Sequence, residues 1–341
     1  MKARAFTLFL VLFSLLFVGC GDKPGEVKSP SSGPSLDDAF ALLPGNAIAV
    51  GTVDARAFFS SETFGADLGK LVETYIPVGQ EAGFAASKDV DRVTFASYSY
   101  QGVDVAAIIV GRFDEAKIKA AAANHTANKQ GNYLVVSQYA GRDVYTINNI
   151  GFTLLSGTRA VAGTESGIRR VLERIKDNRV KRDITKWMLD TVETPGAAAA
   201  VAADFATQPM PSEAMRQVPL PFLNGMKGLR VLVQFKSPGT QVAGSMTYAD
   251  EATAKAMAEQ VRGYTKWAVL LSGIGVNVQN IDVKAEASDV QIKFEVDDKS
   301  LRSGLASLPT WIGPPSSRSP SAPPSSGTAA PGPAPVDPKK K

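Results

Sequence analysis

Apolar and polar residues alternate with a period of two in several short runs. Val93 and Phe95 set one such pattern, and Leu229, Val231 and Val233 set another. Each run is followed by a glycine-containing turn, Gln101-Gly102 or Ser237-Pro238-Gly239, and then by a second apolar run. Period two marks strands with one buried face, and strands joined by turns of two or three residues must pair antiparallel. After each hairpin the period changes: Asp114-Glu115-Ala116 and Asp250-Glu251-Ala252 both open Ala-rich stretches with helical spacing.

The two segments, Arg92 to Ala121 and Gly228 to Val261, correspond at a constant offset of 136 residues. Upstream, Pro44-Gly45 leading to Asp54 is matched by Pro195-Gly196 leading to Asp204, and short helical patterns at Leu36–Leu42 and Ile184–Val192 precede them. Downstream, each segment closes with strands and a helix: Tyr133–Thr164 then Glu165–Ile175, and Val276–Val296 then Lys299–Leu308, with an extra hairpin expected around Asn148–Gly157. The expectation is an α+β fold of two tandem similar repeats, 36–180 and 181–312, each an antiparallel sheet with helices packed on one face.

The ends differ in character. Lys2 and Arg4 precede Phe6–Val18, a 13-residue uncharged run rich in Leu, Phe and Val. As a helix this run reaches roughly 20 Å, short of the roughly 30 Å hydrocarbon core, so it reads as a signal-peptide core. Phe17-Val18-Gly19-Cys20 follows, and the composition then turns polar. This order resembles the lipobox of bacterial lipoproteins, with Phe17 where that family prefers Leu. The resemblance covers about the first twenty residues. It implies a signal peptide over 1–19, a diacylglyceryl group on the Cys20 sulfur, and usually a further acyl chain, such as palmitate, on the new amino terminus. Two acyl chains give stable membrane anchoring where one does not. The body resembles only uncharacterised lipoproteins of the bacterial cell envelope. Gly21 stands where an aspartate would resemble the inner-membrane retention signal of enterobacterial lipoproteins, which favours the periplasmic face of the outer membrane.

Residues 20–35 hold three Pro, three Gly and four Ser after the cysteine and read as a flexible tether. Residues 313–341 hold nine prolines and six serines, end in three lysines, and read as a disordered tail. The signal, tether and tail account for +2, 0 and +3 of the net +4, which leaves −1 for Leu36–Ile312. The pI near 9.0 therefore does not point to nucleic acid.

Candidate chemistry is sparse. One cysteine excludes a disulfide framework, and one histidine, His125, leaves little for a metal site or a triad. Gly163-Thr164-Glu165-Ser166-Gly167 lacks nucleophile-elbow spacing. Gly65–Leu71 is one residue short of a phosphate loop and has Leu71 in place of the hydroxyl, and Gly273-Ile274-Gly275 lacks a third glycine. No catalytic residue, cofactor or metal is expected. Asp114 and Asp250 read as helix caps, and Asp54 and Asp204 as cap or turn residues. The run Arg169–Lys186, with eight basic against three acidic residues, reads as a solvated helix and linker, with contact to anionic lipid as the sharper alternative.

The expected function is thus a lipid-anchored envelope protein that presents a two-repeat interaction or structural domain without catalysis. Two alternatives stay open. One is an envelope hydrolase using Asp54, Asp204, Asp89 or Asp91, and the other is a binding protein for a small or lipidic ligand held between the repeats.

Overall fold

A computed structural model describes residues 36–75, 82–100, 103–124, 134–147, 149–212, 220–235, 239–265 and 277–312. The signal peptide, Cys20, the tether, the tail, His125, Gln101-Gly102, Ser237-Pro238 and the 273–275 string lie outside these residues.

In chain order the elements are α1 (Ala39–Leu42), β1 (Ala49–Val53), α2 (Ala55–Phe59), α3 (Gly65–Tyr75), α4 (Ala86–Asp89), β2 (Val90–Ser97), β3 (Val105–Gly111) and α5 (Glu115–Ala123). Then come β4 (Val135–Tyr139), β5 (Arg142–Ile147), β6 (Ile150–Ser156), β7 (Arg159–Thr164), α6 (Glu165–Lys176), α7 (Lys186–Val192) and β8 (Ala199–Asp204). The chain continues through a 3-10 turn at Pro221–Leu223 to β9 (Gly228–Phe235), β10 (Thr240–Thr247), α8 (Glu251–Thr265), β11 (Val278–Glu286), β12 (Asp289–Val296) and α9 (Asp298–Ile312). The chain is α+β, and the expected hairpins β2–β3 and β9–β10 pair antiparallel.

All twelve strands join one antiparallel sheet, in the order β11-β12-β10-β9-β8-β1-β2-β3-β7-β6-β5-β4. The expectation of a separate sheet for each half is corrected here. Two central strands fuse the halves: β1 pairs antiparallel with β8, from Ala49 opposite Ala203 to Val53 opposite Ala199. Along β8 every residue is buried, because strands flank both edges and helices cover both faces. Small side chains suit that position. Ala is the best helix former, yet here a strand wins because ladder bonds and burial on both faces outweigh local propensity.

Helices cover both faces, which corrects the expectation of a single helical layer. One face presents Val50, Ala106, Ile108, Val161, Ala200 and Ala202 to α1, α6 and α7. On the other, Ala199, Val233 and Val296 lie under α2, α3 and α9, while Ala203, Met246 and Val290 lie under α8. Tyr145, Leu154 and Ala160 complete that second layer under α5. The two helices that close the halves therefore differ in place, with α6 on the first face and α9 on the second.

Of the hairpin expected around Asn148–Gly157, Asn148 lies outside the described residues and the rest forms β6 and the turns that flank it. Beyond β6 the sheet is extended by β5 and β4, which form its outer edge.

Where two strands approach closely, glycine is required. A Cβ on Gly51 would enter the space of the Phe95 ring and come within 2.9 Å of the Ala200 carbonyl.

Candidate functional site

Each acidic residue nominated from sequence has a structural partner. Asp114 accepts the Lys117 N–H at 3.1 Å, and Asp250 accepts the Thr253 N–H at 2.7 Å. Those backbone hydrogen bonds hold both carboxyls below the usual range. Asp54 accepts the Ala57 N–H at 2.9 Å and opens α2. Asp204 is buried and accepts the N–H groups of Ala206 and Thr207 at 2.9 and 3.1 Å. Such bonds satisfy the free donors at a helix start or a turn.

Asp54 and Asp204 also stand at opposite ends of the β1–β8 ladder. The Asp54 N–H bonds the Ala198 carbonyl and the Asp204 N–H bonds the Ile48 carbonyl, 2.8 Å each. They are six residue steps apart along the ladder, about 20 Å at 3.4 Å per residue. Paired carboxylates of glycoside hydrolysis work at roughly 5–9.5 Å. Asp89 and Asp91 sit together at the start of β2, but with two guanidinium groups. Asp91 meets Arg56 at 2.5 Å and Arg112 at 3.3 Å, while Asp89 meets Arg112 at 3.6 Å and accepts the Ala85 N–H.

The basic run is likewise tied into the fold. Arg170 is paired with Asp104 and lies 4.3 Å over the Tyr98 ring. Arg169 pairs with Glu165 and covers Tyr139 at 4.7 Å. Arg174 is buried and binds Asp183 at 2.9 Å, with further bonds to the Ala41 and Lys181 carbonyls. Burial by itself would raise the Asp183 pKa, but the hydrogen bonds from Arg174 and Lys181 outweigh it and the carboxyl is held low. Arg182 bridges Asp38 and Glu193, and Arg179 and Lys186 pair with Asp177 and Asp190. The partners Asp38, Asp104, Glu165, Asp190 and Glu193 lie outside the run, and their five charges offset its net +5.

The Gly163–Gly167 string has a packing role. Thr164 caps α6 by accepting the Gly167 N–H at 3.2 Å, and Ser166 donates to Asp104 at 3.1 Å. Gly163, with φ of +140°, and Gly167 both press against the Val105 carbonyl, where a Cβ would clash. Gly65–Leu71 opens α3, so its glycine-lysine pair is helical and forms no loop.

Among the described residues two shallow hollows stand out. One of about 440 Å³ lies beside α7, between Trp187, Thr191, Arg230, Ser245 and Lys293, with Arg230 4.8 Å over the Trp187 ring. The other, about 530 Å³, lies by Phe84, Phe113, Asp114 and Lys117. Sequence inspection did not single out Trp187 or Arg230, since they are 43 positions apart and only the sheet order brings them together. Among the described residues no group of three or more His, Cys, Asp or Glu could hold a metal ion. Among them, too, no helix is long and apolar enough to cross a membrane.

No family model and no curated protein matches the chain in sequence. Among solved structures, crystal form I of TP0453 superposes on 81% of this chain and 99% of that chain, with a TM-score of 0.48 and 9% identity. Crystal forms III and IV of TP0453 superpose on 79% of this chain at 10% identity, covering 98% and 96% of theirs with TM-scores of 0.46 and 0.44.

Proposed function

We propose that the protein is a lipid-anchored component of the bacterial cell envelope, held to a membrane through Cys20, whose folded part serves as a non-catalytic interaction or structural domain. The outer membrane, at its periplasmic face, is the favoured location. One observation carries the non-catalytic part: Asp54, Asp204, Asp89 and Asp91 are each committed to backbone caps, a turn or ion pairs. A general acid or base needs a carboxyl free to exchange a proton with a substrate. The hydrolase reading is correspondingly weaker. So is that of a ligand held between the halves, since β1 and β8 pair directly at that seam.

The two-repeat organisation is part of the same proposal. Outward from the seam, β1-β2-β3-β7-β6 on one side corresponds to β8-β9-β10-β12-β11 on the other. The aspartate-capped helices α5 and α8 lie on the same face of the sheet. The β4–β5 hairpin is an addition to the first half, and α9 departs from α6 by crossing to the other face.

The test is fractionation of the full chain and of its Cys20→Ala variant. The unaltered chain should sediment with membranes and incorporate labelled palmitate, and the variant should do neither. A variant that stays membrane-bound refutes the anchor, whereas hydrolysis of envelope polymer that is lost in Asp204→Asn or Asp91→Asn refutes the non-catalytic reading.

A further inference from the structure

The two outer edges of the sheet are built differently. An exposed edge presents unpaired backbone N–H and C=O groups, and proteins blunt such edges with charge, bulges or twist. The β11 edge has these devices. It carries Asp282, Lys284 and Glu286, and its register slips between Gln279 and Asp282, where Asn280 takes a positive φ of 51°. The β4 edge, Val-Val-Ser-Gln-Tyr, carries no charge, no proline and no register shift. Its two valines are among the most open large apolar side chains of the described residues: Val135 is 58% and Val136 44% exposed, on opposite faces of the strand. Ile150, 46% exposed, lies on the hairpin next to the start of β4.

We propose that β4 is a pairing edge and that its occupant is the β4 strand of a second copy of this chain, joined antiparallel about a two-fold axis at Ser137. The sequence is self-complementary in that register. Val135 faces Tyr139 of the second copy, Val136 faces Gln138, and Ser137 faces itself. β-Branched and aromatic residues opposite one another stabilise a ladder, whereas like charges opposed across it destabilise, and β4 contributes none. The Tyr139 ring is already fixed, with Arg169 over its face and its hydroxyl donating to Glu173, so little side-chain freedom is lost on contact. Pairing β4 with β11 of a second copy would leave an edge open at each end and propagate. The charges and bulge of β11 oppose that outcome, so the contact closes as a dimer. Five residues a side is well below the roughly 20–30 of a standard interface, so the contact is weak and reversible. The dimer is independent of the lipid anchor.

The test is disulfide trapping in the full chain, solubilised in detergent, with Cys20→Ser so that only an introduced thiol reacts. Residues facing each other across an antiparallel ladder have Cα atoms about 4.5–5.5 Å apart, within disulfide range. Ser137→Cys should form a covalent dimer at least tenfold faster than Ser156→Cys, an exposed control on the β6–β7 turn. Adding Val136→Lys, or Val135→Lys on the other face, should reduce the Ser137→Cys rate to the control level with an unchanged circular dichroism spectrum. Equal rates for Ser137→Cys and Ser156→Cys, or a Ser137→Cys rate untouched by either lysine, would overturn the proposal.

Discussion

Replacing Arg174 by Met tests whether the basic run is structural. The guanidinium binds the Asp183 carboxylate at 2.9 Å and the Lys181 and Ala41 carbonyls at 2.8 and 3.3 Å, and its side chain is only 7% exposed. It thereby joins α6 to α1 and to the linker between the halves. Hydrogen bonds to charged groups contribute about 1.5–3 kcal/mol each, and removing one partner of a buried pair costs about 3–5 kcal/mol. Two features lower the figure. Asp183 retains Lys181 at 3.3 Å and is 28% exposed, so it rehydrates in part, and the Arg174 Nε is buried without a partner. Met keeps most of the aliphatic stem packed. The expected loss is about 3 kcal/mol, a fall in melting temperature of about 6 °C or more.

The loss should depend on pH with a fixed sign. The folded-state pKa of Asp183 is depressed, so its contribution is fully present above the unfolded value of 3.8 and is lost as pH falls through the lower folded value. The stability gap between the unaltered chain and Arg174→Met should therefore be constant near neutrality and narrow below about pH 4. Adding Asp183→Asn to Arg174→Met should cost less than the sum of the two single changes, since it removes the stranded charge. Urea unfolding followed by circular dichroism measures each quantity. A loss under about 1 kcal/mol, or one that grows as pH falls, would refute the assignment of the run to structure.

Three further outcomes follow from the same contacts. Asp204→Ala removes the buried acceptor of the Ala206 and Thr207 N–H groups, which lie in an exposed turn and rehydrate in part, and should cost about 1 kcal/mol in urea unfolding, while Asp204→Asn, which keeps an accepting oxygen, should cost less. Gly51→Ala should destabilise by about 2–3 kcal/mol through overlap with Phe95 and the Ala200 carbonyl, and Phe95→Leu should recover part of that loss in a double-mutant cycle. Asp250→Ala should lower the melting temperature at neutral pH, with the difference shrinking in acid, because the Thr253 N–H favours the ionised carboxylate and that contribution is lost as the group protonates.

Much of the local structure is legible in the chain. The Asp-Glu-Ala strings mark the starts of α5 and α8, and the period-two runs mark β2, β3, β9 and β10, because caps and hairpins are contacts between residues a few positions apart. Strand β8 was recognisable only beside its counterpart, since Gly196–Ala203 taken alone has the composition of a helix. Four of the acidic candidates were legible as well, Asp114, Asp250 and Asp54 as caps and Asp204 as a turn residue, because such bonds are local; the pairing of Asp89 and Asp91 with Arg56 and Arg112 was not.

Other features required the assembled sheet. Nothing within a few residues of β1 or β8 specifies that they pair with each other, so the sequence led to the expectation of one sheet per half, which the β1–β8 ladder overturns. The same holds for α6 and α9. Each follows an interior strand, β7 or β12, and carries an apolar stripe, but the face each covers depends on what is already packed there: Val161 and Ile108 for α6, Phe58 and Leu68 for α9. The basic run carried a net charge of +5 in sequence, yet it is compensated in the fold by Asp38, Asp104, Glu165, Asp190 and Glu193. The sequence by itself determined the elements, their caps and the antiparallel hairpins, because those depend on short-range periodicity and backbone hydrogen bonding. The tertiary structure decided which edges meet, which face each helix covers and which charges cancel, because those depend on burial and Coulomb partners far apart along the chain.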